Sequence, residues 1–208
     1  MNRPGKIVCV GRNYVEHAEE LGNVVPERPL LFLKPPSAVI GDGEPIVLPR
    51  ESRRVEHEGE IGVVIGARLR SCSERDALEA VAGITCVNDV TARDLQRADW
   101  QWTRAKGFDT FCPVGPRVVP LGELPPPDEL EMVCRVNGSE RQRGRTADMA
   151  FGIPLLLAYI SAVMTLEPGD LVVTGTPAGV GPLAAGDVVE VEIPGVGVLT
   201  NPVVTAPA

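Results

Sequence analysis

The sequence predicts an α+β fold in which short β-strands predominate and a few short helices pack on them. Short runs rich in valine and isoleucine recur along the 208 residues, and several alternate apolar with polar side chains. The chain has 22 glycines and 20 prolines, which stand between these runs as turn formers do. Helix signals are fewer and lie between the strand-like runs. Many strands with few helices indicate the α+β class.

The predicted strands extend along the whole chain. Residues 129–136 alternate most clearly, with four apolar side chains on one face. Asn137 and Gly138 follow this run and predict a hairpin turn. The predicted strands cover residues 6–10, 30–33, 46–48, 60–66, 129–136, 171–174, 188–193 and 197–204.

Two helices are predicted in the first half of the chain from their end signals. The first covers residues 14–21 and is followed by the helix-stopping pair Gly22-Asn23. Ser73 with Asp76 forms a start resembling a capping box. The helix that begins there would run to about residue 82, and Gly83 would end it.

Two further helices are predicted downstream. Thr91 with Asp94 repeats the capping-box signature, which would place Asp89 at a junction between a strand and a helix. Side chains at such a junction are held firmly and remain reachable. An apolar helix is predicted to begin at Thr146 or Asp148 and to run to about residue 164.

Composition excludes several classes of function. The 20 basic and 28 acidic residues give a net charge of −8, which argues against binding to nucleic acid or to an anionic membrane. The cysteines are five in number and form no C-x-x-C pair, so neither a disulfide framework nor a zinc ribbon is expected. A reducing cytoplasm fits this cysteine usage best.

The chain is expected to form one domain over residues 1–208, with the first 50 or so as a candidate N-terminal lobe or lid. Its N-terminal apolar run is too short for a signal peptide. The longest apolar stretch, residues 153–166, is too short to span a bilayer and predicts a buried helix.

Glu58 and Glu60 open the most apolar strand-like run of the chain. Alternate residues of a strand point the same way, so both carboxylates would share one face, roughly 7 Å apart at the backbone. Two such charges repel unless a cation lies between them. Asp89 is a candidate third ligand, and three carboxylates suit Mg²⁺, Ca²⁺ or Mn²⁺ better than zinc. The alternative is that both glutamates face solvent on an edge strand.

Other polar residues are candidates for catalysis or substrate binding. His17 and Glu20 share a helical face, where the carboxylate would orient the imidazole as a base that activates water. Lys106 could bind a substrate carboxylate or enolate, and Arg93 and Gln96 share a face after Asp89. Each of these groups has the alternative of being ordinary surface. His57 is interpreted as structural.

The glycine-rich loop of residues 174–181 can present backbone N–H groups to an anion. It lacks the Gly-Lys-Ser/Thr ending of a P-loop, so nucleotide binding is not expected. An ordinary turn between strands is the alternative for this loop.

Six motifs in this order resemble the fumarylacetoacetate hydrolase family in its short single-domain form, and together they extend over nearly the whole chain. They are Gly11-Arg-Asn-Tyr14 with His17 and Glu20, Phe32-Leu-Lys-Pro35, Glu58-Gly-Glu60-Ile-Gly-Val-Val, Asn88-Asp89-Val-Thr-Ala-Arg93-Asp94, Ala105-Lys-Gly-Phe108 and Thr174-Gly-Thr-Pro177.

The resemblance implies a compact, mostly β roll of the mixed β-sandwich type, with a few short helices and assembly as a homodimer. It also implies that Mg²⁺ or Mn²⁺ is held by the two glutamates and the aspartate. The histidine–glutamate pair, on a mobile N-terminal segment, would activate water. The residues expected to contact the substrate are Arg12, Arg93, Gln96, Lys106 and Thr176.

The activity implied by the resemblance is hydrolysis of the C–C bond of an acylpyruvate, such as fumarylpyruvate, through an enolate stabilised by magnesium. The substrate would chelate the metal through its carboxylate and 2-oxo oxygens. The same site would support decarboxylation of oxaloacetate or isomerisation of a 2-hydroxy-dienedioate. A non-catalytic protein with a structural cation is the alternative from another class.

Overall fold

The computed structural model describes residues 3–20 and 22–207, and these form fifteen strands and five short α-helices. The strands are β1 Ile7–Gly11, β2 Leu30–Lys34, β3 Val39–Ile40, β4 Ile46–Leu48, β5 Val55–His57, β6 Gly59–Ile65, β7 Val81–Asn88, β8 Thr91–Ala92, β9 Cys112–Val119, β10 Glu131–Val136, β11 Ser139–Arg145, β12 Leu171–Val173, β13 Gly181–Pro182, β14 Val188–Ile193 and β15 Gly197–Thr205. The helices are α1 Val15–Glu20, α2 Glu74–Ala77, α3 Arg93–Ala98, α4 Thr103–Lys106 and α5 Ile153–Val163.

The strands form three sheets. The largest has seven strands in the order β2-β1-β12-β6-β7-β9-β3, the second has the order β11-β10-β14-β15-β4, and the smallest has the order β13-β5-β8. Strands therefore predominate and helices are few and short, as the α+β prediction required. The four strands from the first 50 residues all belong to the two larger sheets.

Strand β6 occupies the centre of the seven-stranded sheet and is buried along its whole length. A strand buried on both faces reads as a continuous apolar run, which is the pattern seen in the sequence after Glu60. In the antiparallel pair with β7, Gly59 lies opposite Asn88. The backbone N–H of Asp89 then donates to the carbonyl of Glu58 at 2.8 Å. The register of two strands thus brings the predicted ligands together.

The main hydrophobic core combines side chains of both large sheets with the apolar face of α5. The alternation predicted for residues 129–136 is confirmed, because its four apolar side chains are all buried in this core. The hairpin turn is confirmed as well: Asn137 and Gly138 have φ angles of 53° and 74°, and β10 pairs with β11 across them. Core members that represent the layers are Ile61, Val63, Met132, Cys134, Leu157, Ile160, Val191 and Leu199.

The helix predicted to run from residue 73 to about 82 is shorter than expected. Ser73 does cap it, accepting a hydrogen bond from the backbone N–H of Asp76 at 3.2 Å. However, α2 ends at Ala77 and a 3₁₀ turn leads into β7. Gly83 does not end a helix but lies inside β7, where a Cβ would stand 2.4 Å from the carbonyl oxygen of Val119 on β9. The glycine permits close approach of two strands.

The capping box predicted at Thr91 is wrong. Thr91 lies in β8, and its hydroxyl donates to the carbonyl of Asp89 at 2.8 Å. Ala92 precedes α3 without a side-chain cap, and the carboxylate of Asp94 instead accepts from the hydroxyl of Ser52 at 2.6 Å. The Thr91 hydroxyl also accepts from Lys106 Nζ at 2.8 Å, so neither polar group is left to cap α3. The predicted position of Asp89, after β7 and shortly before α3, is confirmed.

The apolar helix α5 begins at Ile153 rather than at Thr146 or Asp148. Residues 146–148 form a 3₁₀ turn in which Thr146 accepts a hydrogen bond from the backbone N–H of Leu130 at 3.0 Å, so its hydroxyl anchors the turn to the strand region. Pro154 then stands in the first turn of α5, where its missing N–H costs nothing. At the other predicted helix, α1 covers Val15–Glu20, and Leu21 lies outside the described residues. Among the helices of residues 3–20 and 22–207, none has the length and apolar character needed to cross a membrane.

Candidate active site

Three buried carboxylates converge at the end of the central strand pair. Glu58 precedes β6, Glu60 lies within it, and Asp89 follows β7. Each offers an oxygen, and these oxygens lie within 4.8 Å of one another. The strand-face argument from the sequence therefore places the two glutamates correctly, and the pairing of β6 with β7 supplies the aspartate.

Lysine and arginine side chains surround two of the three carboxylates. Lys106 Nζ donates to Asp89 Oδ2 at 2.5 Å and to Glu58 Oε2 at 2.8 Å. Lys34 Nζ donates to the other oxygen of Asp89 at 2.6 Å, and Arg93 donates to Glu58 Oε1 at 2.5 Å. Burial by itself would raise the pKa of Glu58, but the charges of Lys106 and Arg93 hold that pKa well below its usual range.

Lys106 is likewise held in its charged form. Burial would lower the pKa of its ammonium group, but the negative charges of Asp89 and Glu58 raise it above its usual value. The ammonium group also donates to Thr91 Oγ1 at 2.8 Å and lies 4.9 Å from the centre of the Phe32 ring. All of its hydrogen-bonding capacity is thus directed at the site, which gives it a fixed position.

Glu60 differs from the other two carboxylates. Its oxygen accepts a hydrogen bond of 2.5 Å from the backbone N–H of Gly175, but no lysine or arginine in the described ranges forms an ion pair with it. Burial raises its pKa well above the usual value, and the charges of Asp89 and Glu58 add to this effect. A buried carboxylate in this position is stabilised by a cation. The donor set, three carboxylates without thiol or imidazole, fits a hard divalent ion.

Arg93 is buried and engaged on every side. Besides Glu58, its guanidinium donates to Glu56 Oε2 at 2.6 Å and to Gln96 Oε1 at 2.6 Å. The shared helical face predicted for Arg93 and Gln96 is therefore present. The structure shows Arg93 holding a proposed metal ligand in place, while its contact with substrate stays a prediction.

A cavity of about 250 Å³ opens above the carboxylates. This is somewhat smaller than the roughly 300–1,000 Å³ typical of sites for drug-sized ligands, so it suits a small molecule. Every residue predicted for the site lines it except Glu20. The lining residues are Val10, Gly11, Arg12, His17, Asn23, Phe32, Glu58, Glu60, Asp89, Arg93, Gln96, Arg97, Trp102, Lys106 and Thr176.

His17 reaches the cavity from α1, with Glu20 behind it. His17 Nδ1 lies 3.4 Å from Glu20 Oε2, and both carboxylate oxygens of Glu20 accept from the N–H of Gly179 at 3.1 Å. Burial lowers the pKa of His17, and the charge of Arg93 contributes, although Glu58 and Glu20 act in the opposite direction. The imidazole is therefore neutral at neutral pH and able to accept a proton.

Two residues that hold predicted site residues in place, Lys34 and Gln142, were not themselves predicted for the site. Lys34 lies on β2 and pairs with Asp89 across 55 positions of sequence. The scarcity of lysine is the sequence feature that could have identified Lys34. The chain has only three lysines, and Lys34 and Lys106 are the two that are buried. Gln142 is the second, on β11 of the other large sheet. Nothing in the local pattern around Gln142 distinguishes it.

Gln142 connects the glycine-rich loop to the start of β6. Its Nε2 donates to Thr176 Oγ1 at 2.7 Å and to the carbonyl of Pro177 at 2.8 Å. Its Oε1 accepts from the N–H of Gly59 at 3.0 Å and lies 3.0 Å from His57 Nδ1. His57 thus contacts Gln142 and not the carboxylate cluster, in line with its interpretation as structural. Gln142 thus holds the side chain of Thr176, which is predicted to bind substrate.

The sequence profile described as "Fumarylacetoacetate (FAA) hydrolase C-terminal" matches residues 6–204. The chain belongs to the fumarylacetoacetate hydrolase family. The resemblance seen in the motifs is thereby confirmed, and with it the type of fold. The family is one of enzymes, and its members are typically metal-dependent.

Characterised relatives and a solved structure extend this comparison. The mitochondrial oxaloacetate tautomerase of Caenorhabditis elegans is 46% identical over 193 residues, which cover 91% of this chain and 90% of the relative. The mitochondrial oxaloacetate decarboxylase of Dictyostelium discoideum is 45% identical over 195 residues, covering 91% and 89%. The crystal structure of 5-carboxymethyl-2-hydroxymuconate delta-isomerase from Mycobacterium smegmatis matches with a TM-score of 0.91 at 49% identity, covering 99% of this chain and 81% of that one.

Proposed function

We propose that this protein is a divalent-metal-dependent enzyme that interconverts the keto and enol forms of a 2-oxo dicarboxylic acid such as oxaloacetate. The observation that carries the proposal is the convergence of Glu58, Glu60 and Asp89 within 4.8 Å beneath a small cavity that His17 and Lys106 also line. The names of the nematode and slime-mould relatives, an oxaloacetate tautomerase and an oxaloacetate decarboxylase, support this class of substrate.

The metal would be held by the two glutamates and the aspartate, and Mg²⁺ or Mn²⁺ suits these hard oxygen ligands. When bound, the ion supplies a Lewis acid that polarises the 2-oxo group of the substrate. Lys106 remains charged because Asp89 and Glu58 raise its pKa. It therefore contributes a fixed positive charge where negative charge develops on the substrate oxygen.

We assign the transfer of the proton to His17. Its imidazole is neutral, lines the cavity and is held at Nδ1 by Glu20, so it can take a proton from C3 of the keto acid. The proton delivered to the 2-oxo oxygen completes the enol. A positioned acid–base group of this kind typically contributes about 10²–10⁴-fold in rate.

Hydrolysis of an acylpyruvate is the second candidate, and the His17–Glu20 pair favours it. A carboxylate that orients a neutral imidazole is an arrangement that activates water. The water would attack the C4 carbonyl, the C3–C4 bond would break, and the products would be pyruvate and the carboxylic acid of the acyl group. Decarboxylation of oxaloacetate or isomerisation of a 2-hydroxy-dienedioate would likewise place negative charge on the 2-oxo oxygen of the substrate. The similarity to the mycobacterial isomerase supports the isomerisation.

The test is a product analysis with defined metal content. Protein freed of metal, then supplied with Mg²⁺ or Mn²⁺, is incubated with enol-oxaloacetate and separately with an acylpyruvate, and products are followed by NMR. We expect rapid, metal-dependent loss of the enol form of oxaloacetate with little pyruvate formed. Glu58→Gln should abolish this activity, and Glu16→Gln, an exposed change on α1, should not. Activity unaffected by excess chelator would overturn the proposal, and pyruvate release from the acylpyruvate alone would favour the hydrolase.

We further propose that the protein is a homodimer in the cytoplasm that binds neither nucleic acid nor membranes. The cysteines, all five free and four of them buried, support a reducing compartment. Burial raises the pKa of Cys134 and of Cys112 to about 12, so these thiols stay protonated and unreactive. Light scattering after size exclusion would measure the mass, and a mass near 22.1 kDa would rule out the dimer.

A further inference from the structure

Two arginines that line the cavity, Arg12 and Arg97, have no carboxylate partner among residues 3–20 and 22–207. Arg97 is exposed, and Arg12 is partly buried after the end of β1. Within the described part of the chain, neither side chain takes part in a hydrogen bond or an ion pair. The neighbouring arginines differ: Arg93 is bound to two glutamates, and Arg104 pairs with Asp99. Two positive charges at the solvent side of the cavity are thus available to a ligand.

Helix α3 places Arg97 one turn away from the metal site. Arg93, Gln96 and Arg97 stand at positions i, i+3 and i+4, so they share one helical face, and all three line the cavity. Arg93 lies at the deep end, where it holds Glu58. Four residues further along the helix correspond to a rise of about 6 Å. The face therefore leads from the carboxylate cluster toward solvent and ends in an unpaired guanidinium.

The backbone holds Arg12 in a conformation that favours glycine. Its backbone φ angle is 57°, a value that residues other than glycine rarely adopt. The turn is fixed by the next residue, Asn13, whose side-chain amide donates to the carbonyls of Thr174 at 2.7 Å and Phe151 at 3.0 Å. An outlying backbone conformation held by its surroundings is common at ligand sites. The point at which the Arg12 side chain leaves the backbone is therefore fixed.

The indole of Trp102 forms an apolar wall of the same cavity. It packs so closely on Gly11 that a Cβ there would lie 2.7 Å from the ring, and it meets Phe32 edge to face with 5.3 Å between ring centres. Both Trp102 and Arg12 also line the adjoining groove beside β2. An apolar wall beside a charged group strengthens its interaction with an ion of opposite charge, because water is partly excluded.

We propose that Arg12 and Arg97 form a subsite for the distal carboxylate of the substrate, the one farthest from the metal ligands. The inference rests on the proposed function and deepens it, since it makes the protein selective for 2-oxo dicarboxylic acids. Guanidinium groups bind carboxylates through paired, charge-assisted hydrogen bonds. The ammonium groups of Lys34 and Lys106 are already committed to Asp89. The two unpaired arginines are the groups that would bind the distal carboxylate of the substrate.

The test compares two acids of equal length. Isothermal titration calorimetry measures binding of 2-oxoglutarate, 2-oxopentanoate and oxalate to the Mg²⁺-loaded protein and to its Arg12→Gln and Arg97→Gln variants. The first two acids differ only in the distal carboxylate, and oxalate is too short to reach from the metal to the subsite. We expect the wild-type protein to prefer 2-oxoglutarate over 2-oxopentanoate by at least about tenfold, the effect of one charge-assisted hydrogen bond. Arg75→Gln, an exposed change on α2, is the matched control.

Each arginine variant should lose most of that preference while oxalate and 2-oxopentanoate bind as before. An unchanged preference in both variants would overturn the subsite, and so would an equal weakening of all three acids. If oxalate itself fails to bind to the metal-loaded wild-type protein, the proposed function fails, and the subsite that rests on it fails with it. Retained oxalate binding without selectivity overturns the subsite alone.

Discussion

Lys34 donates a hydrogen bond of 2.6 Å from Nζ to Oδ1 of Asp89, and both side chains are buried. The same ammonium group also donates to the carbonyl of Val90 at 3.2 Å. Lys34 comes from β2, at the edge of the seven-stranded sheet, so the pair connects that edge strand to the proposed metal site. Breaking this pair would leave Asp89 with one buried cation, Lys106, in place of two.

Replacing Lys34 by Met should therefore destabilise the metal-free protein, but by less than the about 3–5 kcal/mol of a buried charge that loses every partner, because Lys106 still pairs with Asp89. Chemical denaturation measures this free energy of unfolding. The control Arg104→Met breaks the exposed pair with Asp99 and should change stability far less. Equal losses in the two variants would show that Lys34 does not hold Asp89 in the way described.

Glu60→Gln should separate stability from metal binding. The folded state raises the pKa of Glu60, so the metal-free wild-type protein loses stability as the pH rises above the ordinary value of 4.5. The variant lacks this loss and should be the more stable of the two at pH 7 without metal. It should also lose the stabilisation by bound metal. At a metal concentration 100 times the dissociation constant, that stabilisation is about 2.7 kcal/mol.

Thermal unfolding with and without Mg²⁺ or Mn²⁺, at several pH values, would test the Glu60 prediction. Glu44→Gln, at an exposed position remote from the cavity, is the control and should keep the metal-dependent shift. A Glu60→Gln protein that still gains stability from metal would show that the carboxylate is not a ligand.

His17→Asn should lower kcat by about 10²–10⁴-fold while leaving metal affinity intact, because the imidazole is assigned to proton transfer. The lowered pKa of His17 has a consequence in the pH profile of the wild-type protein. The neutral base persists below the ordinary histidine value of about 6.5, so the fall in kcat/KM on the acid side should begin below that pH. A wild-type profile that falls above pH 6.5 would contradict the assignment.

Glu20→Gln should have a smaller effect than loss of the imidazole. The amide keeps an oxygen that can face the N–H of Gly179, but it lacks the charge that supports a proton on His17. The pH at which kcat/KM falls should therefore move further to the acid side. Steady-state kinetics across pH would show an unshifted profile if Glu20 served only to anchor the loop.

Gln142→Leu tests a positioning role. The change removes the hydrogen bonds to Thr176 and Pro177, and the unpaired buried groups cost about 1–3 kcal/mol each. We expect a higher KM because the loop moves, and a weaker metal affinity as well, because the N–H of Gly59 between Glu58 and Glu60 loses its acceptor. Arg141→Leu, at an exposed position on the same strand, is the control. A fall in stability without any change in KM would reduce Gln142 to a structural residue.

The central features of the site were predictable because they depend on local periodicity. Glu58 and Glu60 share a strand face by the two-residue repeat, and the apolar run after them indicated a central strand. Asp89 was placed correctly between a strand and a helix, although the capping signature behind that placement is wrong. Lys34 and Gln142 were not assigned because their partners lie 55 and 34 or more positions away, and no local pattern reports such contacts.

The errors in helix prediction have a common physical cause. At Thr91 and Thr146, a hydroxyl group that could cap a helix accepts a tertiary hydrogen bond instead. At Gly83, a glycine that could end a helix instead allowed two strands to approach. Capping signatures describe what a side chain can do in isolation, and packing decides which partner it receives.

The pairing of Gly59 with Asn88 limits where insertions and deletions can be accepted as such an enzyme evolves. A deletion or insertion within β6 or β7 would turn a ligand to the other face of the sheet, so the chemistry tolerates length changes only elsewhere. The side chains assigned to selectivity, Arg12 and Arg97, lie outside both strands. Substitutions there leave the strand register untouched. Related enzymes can therefore change which substrate acid they bind while the catalytic residues keep their positions.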